Sequence, residues 1–160
     1  MGWYCGRETK RKLVEKLKAR AQHHRLVGNH LWTVEDCHGQ PTICLYLIEV
    51  EMGRAWYKDL SEAMHPYYYD CPESLLALAP ETNHEWRAKV REYHEKRRAA
   101  RSRKASLMIG DVIQLPEGYV PNCFEIVSTK PLLGRAKGGT FKLRAQHIAD
   151  MTLVRKSFDF

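Results

Sequence analysis

With 160 residues, 44% of them apolar and four of them tryptophan, the chain can hold one ordinary core or two small ones, which excludes a disordered protein. The net charge is +7, and no apolar run approaches the ~18 residues of a membrane span. The opening MGWYCGRETKRK has no apolar stretch followed by a cleavage site, and Gly6 stands where a myristoylation signal needs Ser or Thr; the expected setting is the cytoplasm, without a membrane partner.

The first predicted element is a helix in TKRKLVEKLKARAQHHRLVGN. Thr9 is its N-cap, Leu13, Val14, Leu17, Ala21 and His24 or Arg25 form its stripe, and Gly28 with Asn29 provides the stop. HLWTVED and TICLYLIEVEM then alternate polar and apolar residues, joined by CHGQP as a hairpin loop, and RAWYKDL adds a third short strand. Ile43, Leu45, Leu47 and Val50 give the second strand its apolar face, and burying it under the helix is the natural solution.

MHPYYYDCP follows. Ser61 caps a short SEAM turn that Pro66 ends, and Asp70 stands three residues before Glu73 in a capping-box arrangement, with Pro72 in the first turn. Tyr67 and Tyr69 point one way in an extended segment and Tyr68 the other. Exposed rings here, Tyr67 or Tyr68, would stack on unpaired bases; otherwise all three pack with their hydroxyls on backbone carbonyls. Cys71 at a helix start, with His65 nearby, is also a conceivable nucleophile pair, although nothing marks an orienting third group or an oxyanion hole.

The second long helix is ETNHEWRAKVREYHEKRRAARSRKAS. Trp86, Val90, Tyr93 and Arg97 define a face that fades to Ala99 and Ala100, and KRRAARSRK packs six cations into nine residues. Beyond it GDVIQL, FEIVSTK, TFKLRAQ and MTLVRK read as short strands separated by PEGYVPN, PLLGRAKGG and HIAD. Lys137 precedes Gly138 and Gly139, the wrong order for a P-loop. The fold class is therefore α+β. A helix lies on a small antiparallel sheet over residues 1–84, a basic helical connector covers 85–106, and 107–160 form a small β domain, an SH3-like barrel or bent sheet.

The five cysteines, Cys5, Cys37, Cys44, Cys71 and Cys123, are odd in number and scattered, which suits a reducing compartment. Cys37, His38 and Cys44 approach a metal-ligand spacing, and His65 with Cys71 would have to complete it. The reading preferred is turn residues beside a small buried thiol, with no metal and no cofactor.

Charge location is the strongest functional signal. Residues 10 to 25 carry seven Lys or Arg against one Glu, and residues 85 to 104 carry nine against three; each segment is +6, leaving −5 for the rest. Like charges at i, i+3 and i+4 repel unless a counter-charge is present. A polyanion supplies one, and counterion release then makes binding fall steeply with salt.

MGWYC, DLSEAMHPYYYDCPESLL and HEWRAKVREYHEKRR together resemble an uncharacterised family of small proteins carried by bacterial plasmids and phages, over most of the first hundred residues. The resemblance implies no catalytic residue, cofactor or settled activity. It implies a context, since accessory genes of mobile elements often encode nucleic-acid handling factors or inhibitors of host defence.

The expectation is a non-enzymatic protein that binds nucleic acid or a nucleoprotein complex. Lys10, Arg11, Lys12, Lys16, Arg97, Arg98, Arg101, Arg103 and Lys104 would lie on phosphates, with Tyr67 or Tyr68 stacking. The alternative is an inhibitor of a host defence nuclease, of anti-CRISPR or anti-restriction type, that occupies an acidic protein surface. A weaker alternative is a thiol or metal enzyme built on His65, Cys71, Cys37 and Cys44. Oligomeric state is not readable from the sequence.

Overall fold

Two hairpin turns, His38-Gly39 and Met52-Gly53, frame the first sheet. All four residues have positive φ, at 57°, 81°, 48° and 76°, the conformation that matches a two-residue turn to the twist of its strands. The computed structural model describes residues 4–5, 8–64 and 66–156. The chain divides into two compact units, Met1–His94 and Glu95–Phe160.

The first unit holds β1 (Tyr4–Cys5), α1 (Lys10–Lys18), β2 (His23–Val27), β3 (His30–Cys37), β4 (Gln40–Glu51) and β5 (Arg54–Ser61). A 3₁₀ turn at Glu62–Met64 and α2 (Glu73–Leu76) lead into α3 (His84–Ser106). The strands form an antiparallel sheet in the order β1-β5-β4-β3-β2. Side chains alternate across a strand, so the sheet has two faces to cover. Leu31, Tyr46, Ile48, Ala55 and Tyr57 pack with Leu13, Val14 and Leu17 of α1. Trp32, Val34, Ile43, Leu45 and Leu47 pack with Leu75, Leu76, Ala79, Trp86 and Val90. Burial on both faces explains why TICLYLI reads as nearly continuous apolar sequence; each fully buried aliphatic side chain contributes roughly 1.5–3 kcal/mol.

Three sequence expectations change here. The first helix stops at Lys18 instead of running to Gly28, and residues 23–27 form β2. After Leu17 no large apolar residue continues the helical stripe, whereas pairing with β3 gives residues 23–27 a five-residue ladder. Gly28, with φ 62°, turns the β2–β3 hairpin. Thr9 does occupy the N-cap with extended geometry, but its side chain makes no capping bond. The first half of α3 is also a structural layer, not a connector, because Trp86, Arg87 and Val90 are buried. Finally, Pro72, not Asp70, stands at the N-cap of α2.

The second unit contains the C-terminal half of α3 with β6 (Val112–Gln114), β7 (Cys123–Thr129), β8 (Leu132–Ala136), β9 (Gly139–Lys142), α4 (Ala145–Ala149) and β10 (Thr152–Arg155). Its antiparallel order is β10-β6-β7-β8-β9, an open sheet with β10 and β9 at its edges that does not close into a barrel among the described residues. Leu107, Ile113, Leu115, Phe124, Ile126, Leu132, Leu143 and Ile148 form its core. β8 lies in the stretch PLLGRAKGG that reads as loop, and Gly134 is the reason. A Cβ there would stand 2.9 Å from Phe124 Cβ, so this glycine serves close packing inside a strand instead of a turn.

Candidate anion-binding surfaces

The two halves of α3 treat their cations differently. In the first half each is matched. Arg87 Nε donates to Glu62 Oε1 at 2.6 Å and its Nη2 to Glu62 Oε2 at 2.8 Å, while Leu76, Ala79 and Pro80 carbonyls accept its remaining N–H groups. Lys89 pairs with Glu85 at 3.1 Å and Arg91 with Glu81 at 3.5 Å. Asn83 caps this end, its Oδ1 accepting the Trp86 N–H at 3.0 Å.

Past residue 95 the cations divide between engaged and unmatched ones. Arg97 and Arg98 are engaged in interactions within the chain. Arg103, expected on a phosphate, donates to the Ala149 carbonyl at the end of α4. Arg101 and Lys104 are exposed and have no side-chain partner among the described residues. Both line a cleft of about 380 Å³ with Ala105, Leu107, Thr129, Lys130 and Pro131. No carboxylate among the described residues lines it. Lys130, between β7 and β8, is likewise exposed and without a side-chain partner. The sequence offered one weak signal for it, a lysine at the turn in STKPLLG.

Charge follows the same division. Residues 1–94 contain thirteen Lys or Arg and thirteen Asp or Glu, for zero; residues 95–160 contain thirteen against six, for +7. The whole net charge of the chain therefore belongs to the second unit.

On α1 the expected phosphate ligands are partly compensated. Lys10 Nζ donates to Asn29 Oδ1 at 2.5 Å, and Lys16 lies 3.9 Å from Glu8. Lys18 pairs with Glu15 at 2.9 Å, and this ammonium holds the Glu15 carboxyl below its ordinary range. Arg11 and Lys12 are exposed and have no side-chain partner among the described residues. Glu8 and Glu15 interleave with these cations around one shallow cleft, so the surface is mixed in sign.

The aromatic stretch splits three ways. His65 lies outside the described residues. Tyr67 is 87% exposed, so it does not pack as a loop stiffener. Tyr68 is 37% exposed, with its ring edge-on to His30 at 4.7 Å and its carbonyl accepting the Trp86 Nε1–H at 3.0 Å. Tyr69 packs against the first core, with Lys89 Nζ 6.0 Å from its ring centroid. Asp70, expected as a helix cap, accepts from His30 Nδ1 at 2.8 Å and ties the loop to β3.

The two buried thiols, Cys71 and Cys44, are poor nucleophiles. Cys71 is fully buried, and burial pushes its thiol well above the ordinary value, with the Asp70 and Glu62 carboxylates adding to the shift. Burial does the same at Cys44, with neighbouring Cys37 and Glu35 contributing. Among the described residues no group of three His, Cys, Asp or Glu side chains could hold a metal ion, and no helix is long and apolar enough to cross a membrane. Comparisons with family models, with curated proteins and with solved structures give no match.

Proposed function

We propose that this chain is a non-enzymatic binding protein whose second unit grips the phosphate backbone of a nucleic acid, alone or within a nucleoprotein complex, as an accessory factor of a mobile genetic element. The observation that carries this reading is the confinement of the +7 charge to residues 95–160, where Arg101, Lys104 and Lys130 stand without carboxylate partners among the described residues. Unneutralised cations of this kind exchange condensed counterions for phosphates, which gives affinity with little sequence discrimination. Arg11 and Lys12 on α1 are secondary contacts, and the exposed Tyr67 ring is available to stack on an unpaired base.

Fluorescence anisotropy with labelled single- and double-stranded DNA and RNA, at a series of salt concentrations, tests the reading. Binding is expected whose logarithmic affinity falls linearly with the logarithm of salt. Absence of binding to all four probes at low salt overturns it.

A further inference from the structure

We infer that the cleft between the end of α3 and the β7–β8 turn is a phosphate-binding site, with Lys130 as the residue that closes it opposite Arg101 and Lys104. This rests on the nucleic-acid reading and narrows it to one site and one ligand group, a backbone phosphodiester.

Arg101 and Lys104 are three apart on one helix, so their side chains are neighbours on its surface. Two like charges there would ordinarily attract a carboxylate from the next turn. Among the described residues none is present in the lining, which is otherwise Ala105, Leu107, Thr129 and Pro131. The negative end of α3 accounts in part for Lys104 in its last turn. It does not account for Lys130, which belongs to a hairpin turn in another part of the unit. Three cations brought into one concavity repel one another, and a dianionic or monoanionic oxygen cluster relieves that repulsion. Two cations come from the helix and one from the turn, so the site is formed only in the folded unit. Thr129 adds a hydroxyl that can donate to a phosphate oxygen. The contrast with α1 is instructive: there Glu8 and Glu15 sit among the cations, and a phosphate would meet both signs.

The experiment compares the full chain with Lys130→Gln, with Arg101→Gln/Lys104→Gln, and with Arg11→Gln/Lys12→Gln, after circular dichroism has verified that each folds. Salt dependence of anisotropy is the first readout. Lys130→Gln alone is expected to lower the salt slope by about 0.7–0.9, the amount for one phosphate contact, and Arg101→Gln/Lys104→Gln by about twice that. The α1 variant should change it less. An unaltered slope in Lys130→Gln overturns the cleft while leaving general nucleic-acid binding intact. The second readout is titration with inorganic pyrophosphate, followed by backbone amide resonances. Shifts centred on Thr129, Lys130, Arg101 and Lys104 that vanish in Lys130→Gln support the cleft even if no nucleic acid binds. Pyrophosphate shifts absent from these four residues count against it whatever the first readout shows.

Discussion

Glu62 and Arg87 form a two-pronged ion pair at 2.6 and 2.8 Å in which neither side chain has appreciable contact with solvent. Glu62 Oε1 also accepts the backbone N–H groups of Thr82 at 3.3 Å and Asn83 at 3.2 Å. Every polar group in the cluster thus has a partner, which is the condition under which a buried pair is tolerated.

Breaking that pair should be costly. Glu62→Ala leaves a guanidinium buried without a counter-charge and two amides without acceptors, and is expected to destabilise the first unit by about 3–5 kcal/mol in urea unfolding. A loss below about 1 kcal/mol would show that the charge is relieved by water or rearrangement.

Met52 occupies a left-handed position, φ 48°, in the β4–β5 turn and is 96% exposed, so it gains nothing by packing. Met52→Asn places a residue that tolerates this conformation and should stabilise the unit by about 0.5–1 kcal/mol. An equal or lower melting temperature would mean that the methionine makes a contact in solution that offsets its backbone strain.

Gly134→Ala tests the second core. The new methyl would approach Phe124 Cβ at 2.9 Å and Leu143 Cδ1 at 3.0 Å, and an overpacking cost of about 1–3 kcal/mol is expected. Thermal melting of the variant measures it, and a neutral result would require the β7–β8 pair to shift apart without penalty.

The raised Cys71 thiol carries a pH dependence of definite sign. The folded state holds the proton above the ordinary thiol value of about 8.5, while the unfolded chain releases it. Its contribution is therefore full below that value and is lost as pH rises above it, at up to about 1.4 kcal/mol per pH unit. Stability measured between neutral and alkaline pH should fall, and Cys71→Ala should flatten part of the fall. A companion labelling experiment expects exposed Cys123 to react with a thiol reagent while Cys71 stays protected until denaturant is added. Native-state labelling of Cys71 would reopen its role as a nucleophile.

How much of this was legible in the sequence differs by element. β3, β4 and β5 were readable from apolar patterning and the His38-Gly39 turn, although alternation misdescribed β4, whose two faces are both buried. The end of α1 was not, because Ala21, His24 and Arg25 keep helical spacing while the decisive interaction, the ladder with β3, is long-range. Asp70 obeyed the local rule for a cap, yet Pro72 took the cap position and His30, forty residues away, claimed the carboxylate. On α3 the spacing could not tell matched cations from unmatched ones, since Glu62 and Glu81 come from outside the helix. Lys130 escaped notice for the same reason: it meets Arg101 and Lys104 around a cleft that exists only once β7 and β8 pair.

One consequence of the Glu62 clasp concerns tolerance to remodelling. By holding Thr82, Asn83 and Arg87 it fastens both ends of the excursion that carries MHPYYYDCP, so the geometry at its base does not depend on its length. Doubling a closed loop adds only about 0.6 kcal/mol of entropy. Extra residues spliced in beside the exposed Tyr67 should therefore leave the sheet undisturbed.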